Sequence, residues 1–155
     1  MELSNFTYDE LEIGQSASIT KEITFSDIQG FAAISGDVNP AHLDSEYAAT
    51  TMFKEVIAHG MLNGAYISAV LGTKLPGLGT IYLGQELSFM KPVKIGTILE
   101  VVLTVKEKLP KNRVIIECNC YNQDKEVVCT GIAKVLAPVK KLTAVSKVPE
   151  FTVKM

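Results

Sequence analysis

The chain reads as one α+β domain, a bent antiparallel sheet wrapped on a single central helix, and three observations lead there. Its 155 residues suit a single core, since chains of ~100–200 residues usually form one domain. The amino-terminal half spaces its apolar residues as helices do, while the carboxy-terminal half alternates with period two. Between them Gly60–Gly72 is apolar nearly all round, with small residues at Gly64, Ala65, Ser68 and Ala69, as expected of a helix buried on most sides.

The elements follow in order. Ala17, Ile19 and Ile23 mark an opening strand near Ser16–Thr24. Ser26-Asp27-Ile28-Gln29 has capping-box spacing, in which hydroxyl and amide each satisfy an orphan backbone donor. Ile28, Phe31 and Ala32 give the helix that follows a core face, and Gly36 stops it because glycine enters the left-handed region at no steric cost. A second short helix is expected after Asp44, through Glu46 to Ala49, and Pro76, Gly77 and Gly79 close the central helix. Four strands then carry inward sets: Ile81, Leu83, Leu87 and Phe89; Leu99, Val101, Leu103 and Val105; Val114, Ile116, Cys118 and Cys120; Val128, Thr130 and Ile132. Their short polar connections suit antiparallel neighbours. No repeat or linker divides the chain; the core spans about 13–137, and the tail 138–155, with Lys140, Lys141, Lys147 and Lys154, has no assignment.

Charge excludes some functions. Fifteen Lys+Arg against 17 Asp+Glu leave a net charge of −2, which argues against a dedicated nucleic-acid or anionic-membrane binder. The apolar stretch Met61–Leu71 is far short of the ~20 residues a membrane span needs, and the first ten residues lack a signal-peptide pattern, so no membrane insertion is expected. The three cysteines form neither a CxxC motif nor a zinc quartet. Cys118 and Cys120 fall on one strand face and read as small buried hydrophobes, consistent with a reducing, cytoplasmic setting.

The chemistry concentrates around the two histidines, His42 and His59. In Gly36-Asp37-Val38-Asn39-Pro40-Ala41-His42, Pro40 stiffens a loop that aims a carboxylate and an imidazole at one point, an arrangement that suits acid–base activation of a water. The same residues read equally as a helix stop followed by an Asx-turn, with His42 a histidine bonded to a carbonyl. His59-Gly60 opens the central helix, where unpaired N–H groups carry the positive end of the dipole. Gly60 there lets a ligand oxygen approach an N–H closely, or else simply permits tight packing. Nothing in the pattern calls for a metal or a cofactor.

Together these residues resemble a known signature. Phe31-Ala32-Ala33-Ile34-Ser35-Gly36-Asp37-Val38-Asn39-Pro40-Ala41-His42 is similar to that of the MaoC-like, (R)-specific enoyl-CoA hydratases, the hydratase 2 family. Ala48–Phe53, Ile57–Leu62 and Gly79–Phe89, followed by Pro92-Val93 and Gly96, resemble its continuation in the same order, over roughly Ile13 to Leu136. The match is to the stand-alone hydratases that supply (R)-3-hydroxyacyl-CoA for polyhydroxyalkanoate synthesis.

The resemblance implies a hot-dog fold, a homodimer formed by joining sheets edge to edge, and reversible hydration of a trans-2-enoyl-CoA, with no cofactor. It implies that Asp37 and His42 hold the catalytic water and that Gly60 offers its N–H to the thioester oxygen, with Asn39 and His59 supporting. An accessory Ser of some relatives is matched here by Ala65. Candidate lining residues for the acyl chain are Tyr47, Met52, Phe53, Leu62, Ala65 and Tyr66, and Lys74, Lys91 or Lys94 are candidates for the CoA phosphates. A 3-hydroxyacyl-ACP dehydratase, a hot-dog acyl-CoA thioesterase and a non-catalytic acyl-thioester binding module are the alternatives. The Asp-x-Asn-Pro-x-His order favours hydration over thioester hydrolysis.

Overall fold

The computed structural model describes residues 1–155. A short strand β1 (Glu2–Leu3) is followed by β2 (Ser16–Glu22), α1 (Phe25–Ser35), and two single-turn helices, α2 (Pro40–Leu43) and α3 (Ser45–Ala49). Then come the central helix α4 (Gly60–Thr73), the strands β3 (Ile81–Phe89), β4 (Ile98–Leu109), β5 (Arg113–Tyr121) and β6 (Val127–Leu136), and a final short β7 (Ala144–Val145). Five strands form one antiparallel sheet, as the strand pattern implies, and their order is β2-β4-β5-β6-β3. A two-stranded pairing of β1 with β7 ties the chain ends together; two-residue strands leave no period to read.

The sheet is long and its inner face apolar. Leu99, Val101, Leu103 and Val105 of β4 and Val114, Ile116, Cys118 and Cys120 of β5 are all buried, in the alternation expected. Ile67, Val70 and Leu71 of α4 pack into the same core. Gly131 is required where β6 passes β3, since a Cβ there would lie 1.9 Å from the Glu86 carbonyl oxygen.

Four sequence expectations need correction. The box on α1 is formed by Thr24 and Asp27, not Ser26 and Gln29: Thr24 Oγ1 accepts from Asp27 N at 3.1 Å and Asp27 Oδ2 accepts from Thr24 N at 2.9 Å. The helix thus begins earlier, and a carboxylate accepts a backbone donor more strongly than an amide does. On β6 Val128 is buried as expected, but Thr130 and Ile132 are not: a bulge opposite Cys120/Tyr121 accommodates Val128 and flips the faces beyond it, so that Cys129, Ala133 and Val135 take the core side. On β3, Ile81, Leu83 and Phe89 are about half exposed: a shift between Tyr82 and Gly84 breaks the alternation, and the strand is a sheet edge. Finally, α4 is covered on one side only in the single chain, with Met61, Ala65, Ser68, Ala69 and Gly72 open.

Candidate active site

The residues around Asp37 are placed by local hydrogen bonding. Gly36, at φ 77°, ends α1 in the left-handed region and turns the chain away. Asp37 Oδ1 then accepts from Asn39 N at 3.2 Å, and Asn39 Oδ1 accepts from Ala41 N at 3.0 Å, capping α2 with Pro40 in its first turn. His42 therefore stands on a single helical turn rather than on a loop. The double turn returns its ring toward the carboxylate, so His42 Nε2 lies 3.9 Å from Asp37 Oδ2. The histidine side chain is 12% exposed and the aspartate 52%.

Two backbone carbonyls decide where the imidazole protons sit. His42 Nδ1 is 2.7 Å from the Ile57 carbonyl oxygen, and an oxygen of that kind only accepts, so Nδ1 carries the hydrogen. In the neutral ring Nε2 is then a bare lone pair facing Asp37. Two acceptors 3.9 Å apart suit a single water that donates one O–H to each through bonds of ~2.8 Å. His59 Nε2 lies 3.0 Å from the Asp37 carbonyl oxygen and by the same reasoning donates to it. Its Nδ1 is buried without a protein partner. The two imidazoles stack, with centroids 3.9 Å apart and planes at 24°, and Phe31 packs against His59 at 4.8 Å. His59 thus supports the ring of one site residue and clamps the backbone of the other.

Gly60 N–H, the first of α4, donates to no group in the protein. The turn before it is anchored to the sheet through Ala58 N, which donates to the Val93 carbonyl at 2.7 Å. Asn63, buried one turn on, donates its amide to the Gly60 carbonyl at 3.1 Å and steadies that end of the helix. A Cβ on residue 60 would press on three carbons of the Phe89 ring at 3.2 Å, so glycine keeps this corner narrow and the N–H accessible.

Asp37, His42 and His59 bring one donor atom each within 4.8 Å of one another, a set whose chemistry could suit a cation. The stacking opposes it. Each imidazole binds a metal in its own ring plane, and planes tilted by only 24° meet well beyond the ~2 Å reach of a metal–nitrogen bond. Asp37 and His42 are left as two ligands, too few for a protein-held ion.

A cleft of about 420 Å³ opens beside this pair, lined by His42, Met52, Phe53, Gly60, Asn63 and the Phe89–Val93 turn. Of the candidate lining residues, Met52 and Phe53 border this cleft. Leu62, Ala65 and Tyr66 line a different cavity, between α1, α4 and the tail. Tyr47 borders neither and is 46% exposed. Lys91 lines the cleft while paired with Glu126, Lys94 pairs with Glu55, and Lys74 donates to the Ser18 carbonyl. Asn63, Phe89 and the Ile57 carbonyl escaped sequence reasoning. Asn63 alone left a signal, a polar residue on the inward face of an apolar helix.

The sheet wrapped on one helix, with a carboxylate–imidazole pair at the helix's positive end, defines a hot-dog domain able to hold and polarise a water next to an unpaired N–H. Residues 10–127 match the MaoC like domain, and the chain belongs to that family. It is 46% identical to the 3-hydroxybutyryl-CoA dehydratase of Methylorubrum extorquens over 141 residues, 90% of this chain and 89% of that one. It is 42% identical to an (R)-specific enoyl-CoA hydratase of Aeromonas caviae, over 83% of this chain and 96% of that one. Among solved structures, the unliganded R-hydratase PhaJ1 of Pseudomonas aeruginosa superposes with a TM-score of 0.95 at 52% identity, covering 99% of this chain and 100% of that one.

Proposed function

We propose that the protein catalyses the reversible, (R)-specific hydration of trans-2-enoyl-CoA to (R)-3-hydroxyacyl-CoA, a hydro-lyase reaction serving fatty-acid or polyhydroxyalkanoate metabolism. The observation that carries the reading is the 3.9 Å gap between two acceptors, His42 Nε2 and Asp37 Oδ2, beside the free N–H of Gly60. The names of the relatives agree with it.

With the thioester oxygen on the Gly60 N–H, electron density drawn from the alkene collects on that oxygen as the water oxygen bonds to the β-carbon. An N–H aimed at such an oxygen acts on the transition state, and losing one such donor costs ~2.7–4 kcal/mol. As the new C–O bond forms, one water O–H bond breaks and its proton passes to the Asp37–His42 pair. Asp37 acts as base while His42 orients the water and shares delivery of that proton to the α-carbon. Atoms balance with no redox partner. Asn39 and His59 hold the pair, and Met52 and Phe53 border the substrate.

A homodimer is part of the same reading. The outer edge of β3 is unpaired over nine residues and carries half-exposed Ile81, Leu83 and Phe89, beside the open face of α4. A strand edge like this is a template for a second copy. A reducing cytoplasmic setting also belongs to it, supported by three buried free thiols.

The test is crotonyl-CoA hydration. Loss of the enoyl absorbance without thiol release, giving the (R)-3-hydroxy product, is expected, and light scattering should give twice the chain mass. Free CoA released in step with substrate loss would replace hydration with thioester hydrolysis.

A further inference from the structure

The tail beyond β7 has no partner in the sheet. It crosses instead to α1, where the Phe151 ring comes within 2.8 Å of the place a Gly30 Cβ would occupy. A side chain on residue 30 would displace it, so Gly30 forms its seat. Residues 151–154 then roof a cavity of about 520 Å³ whose other walls include Phe31, Ile34, Leu62, Ala65 and Tyr66. That volume lies within the ~300–1,000 Å³ of small-ligand sites, and its lining is mostly apolar.

The cavity backs directly onto the site. Phe31 faces it and also packs on His59, while Leu62 lines both it and a small void behind His59. From Gly60 to Ala65 the helix rises roughly 7 Å, so a chain held by its thioester at Gly60 reaches the cavity only with carbons beyond the reacting ones. The roof is lightly fastened, since Phe151 remains 60% exposed. The Aeromonas hydratase, almost fully matched by 83% of this chain, is too short to carry both of this chain's ends, whereas the Pseudomonas hydratase is covered throughout.

We infer that the tail is a specificity element: Phe151, seated on Gly30, closes the far end of an acyl-chain cavity between α1 and α4 and sets the longest chain accepted. The inference rests on the hydratase reading given above. A bulky roof rejects extra methylenes by overlap, and one methylene in an apolar pocket changes selectivity by ~10–200-fold.

The experiment compares wild type, Phe151→Ala, Phe151→Trp and a chain ending at Ser146, each checked for an unchanged circular dichroism spectrum. Turnover is measured on crotonyl-CoA and trans-2-octenoyl-CoA, and binding of octanoyl-CoA, which has no alkene to hydrate, is measured by calorimetry. The octenoyl-to-crotonyl ratio of kcat/KM should rise about tenfold in Phe151→Ala and in the shortened chain, and fall in Phe151→Trp, with crotonyl turnover little changed. Octanoyl-CoA should bind the shortened chain more tightly. Unchanged ratios and unchanged octanoyl-CoA binding would overturn the tail's role. No wild-type hydration of either enoyl-CoA would instead overturn the hydratase reading, and octanoyl-CoA binding would still test the cavity.

Discussion

His59→Phe should separate stability from activity, and the structure sets the size of each effect. Phenylalanine keeps a flat ring between His42 and Phe31, which lie at centroid distances of 3.9 and 4.8 Å. It loses the 3.0 Å bond to the Asp37 carbonyl, and a typical hydrogen bond contributes about 0.5–1.5 kcal/mol net. It also removes Nδ1, a buried acceptor without a protein partner, whose desolvation costs about 1–3 kcal/mol. The two terms offset or favour the variant, so the melting temperature should hold or rise by a few degrees, at ~2–4 °C per kcal/mol for a domain near this size. Activity should move the other way. With its carbonyl unclamped, the Asp37 carboxylate drifts from its place opposite His42, and a misplacement of ~1 Å can cost about 10²-fold. Enoyl-CoA hydration kinetics should show kcat down by that order with KM nearly unchanged, and His59→Gln, which keeps a donor, should recover part of the loss. Wild-type kcat in His59→Phe would refute the clamp, and a melting temperature lowered by more than about 5 °C would refute the stability balance.

Other outcomes follow from the same geometry. Asp37→Asn and His42→Ala should each reduce turnover by about 10²–10⁴-fold while Asp37→Asn leaves thermal stability nearly unchanged, because that side chain is half exposed. Burial opposes ionisation of Asp27, but bonds from the Thr24 backbone and hydroxyl and from Lys21 outweigh it and hold its carboxyl below the ordinary 3.8. Its contribution is therefore fully present above pH 3.8 and is lost as pH falls through the lower folded value. Asp27→Asn should accordingly lower the denaturation midpoint near neutral pH and converge on wild type in acid titrations carried below that folded value. Burial pushes the Cys118 thiol up to about 11, and a hydrogen bond with Cys129 and burial raise Cys120 as well. Cys129 is the member of that bonded pair poised to lose its proton first, yet all three thiols are buried. A disulfide reagent at pH 8 should therefore find no reactive thiol in the native protein and three after denaturation.

Much of this architecture was legible in the sequence, for reasons that differ by element. β4 and β5 alternate cleanly because both lie inside the sheet with one face on the core, so burial imposes the period two that reading relies on. β3 and β6 misled where bulges at Tyr82/Gly84 and Cys120/Tyr121 change the count of residues between faces, a local event that hydrophobicity does not encode. The composition of the central helix marks it as buried but does not reveal its open face, since small apolar residues look alike whether they meet a sheet or stand open. Asp37 and His42 were picked out by motif. Their opposition at 3.9 Å depends on the Asn39 cap and on Ile57, which is fifteen residues from His42 and contributes only a backbone carbonyl. A main-chain atom leaves no trace in residue identity.

That reliance on main-chain carbonyls explains how a small site with few charges can specify the position of a proton. A side-chain acceptor on His42 Nδ1, a carboxylate for example, would add a second negative charge beside Asp37 and compete with it for the proton the reaction moves. The neutral Ile57 carbonyl fixes the tautomer through orientation alone, and the Asp37 carbonyl does the same for His59. Asp37 is then the single anion among the three side chains, next to one bare imidazole lone pair. A water placed there meets a carboxylate oxygen on one side and an imidazole lone pair on the other, and under the proposed hydration the carboxylate takes the proton while the ring holds the oxygen in line. The cost is visible in the same ring stack, because clamping Asp37 through Nε2 leaves His59 Nδ1 buried and unpaired. A residue chosen for stability alone would not carry that nitrogen, so its presence favours a functional reason for the His42–His59 pair.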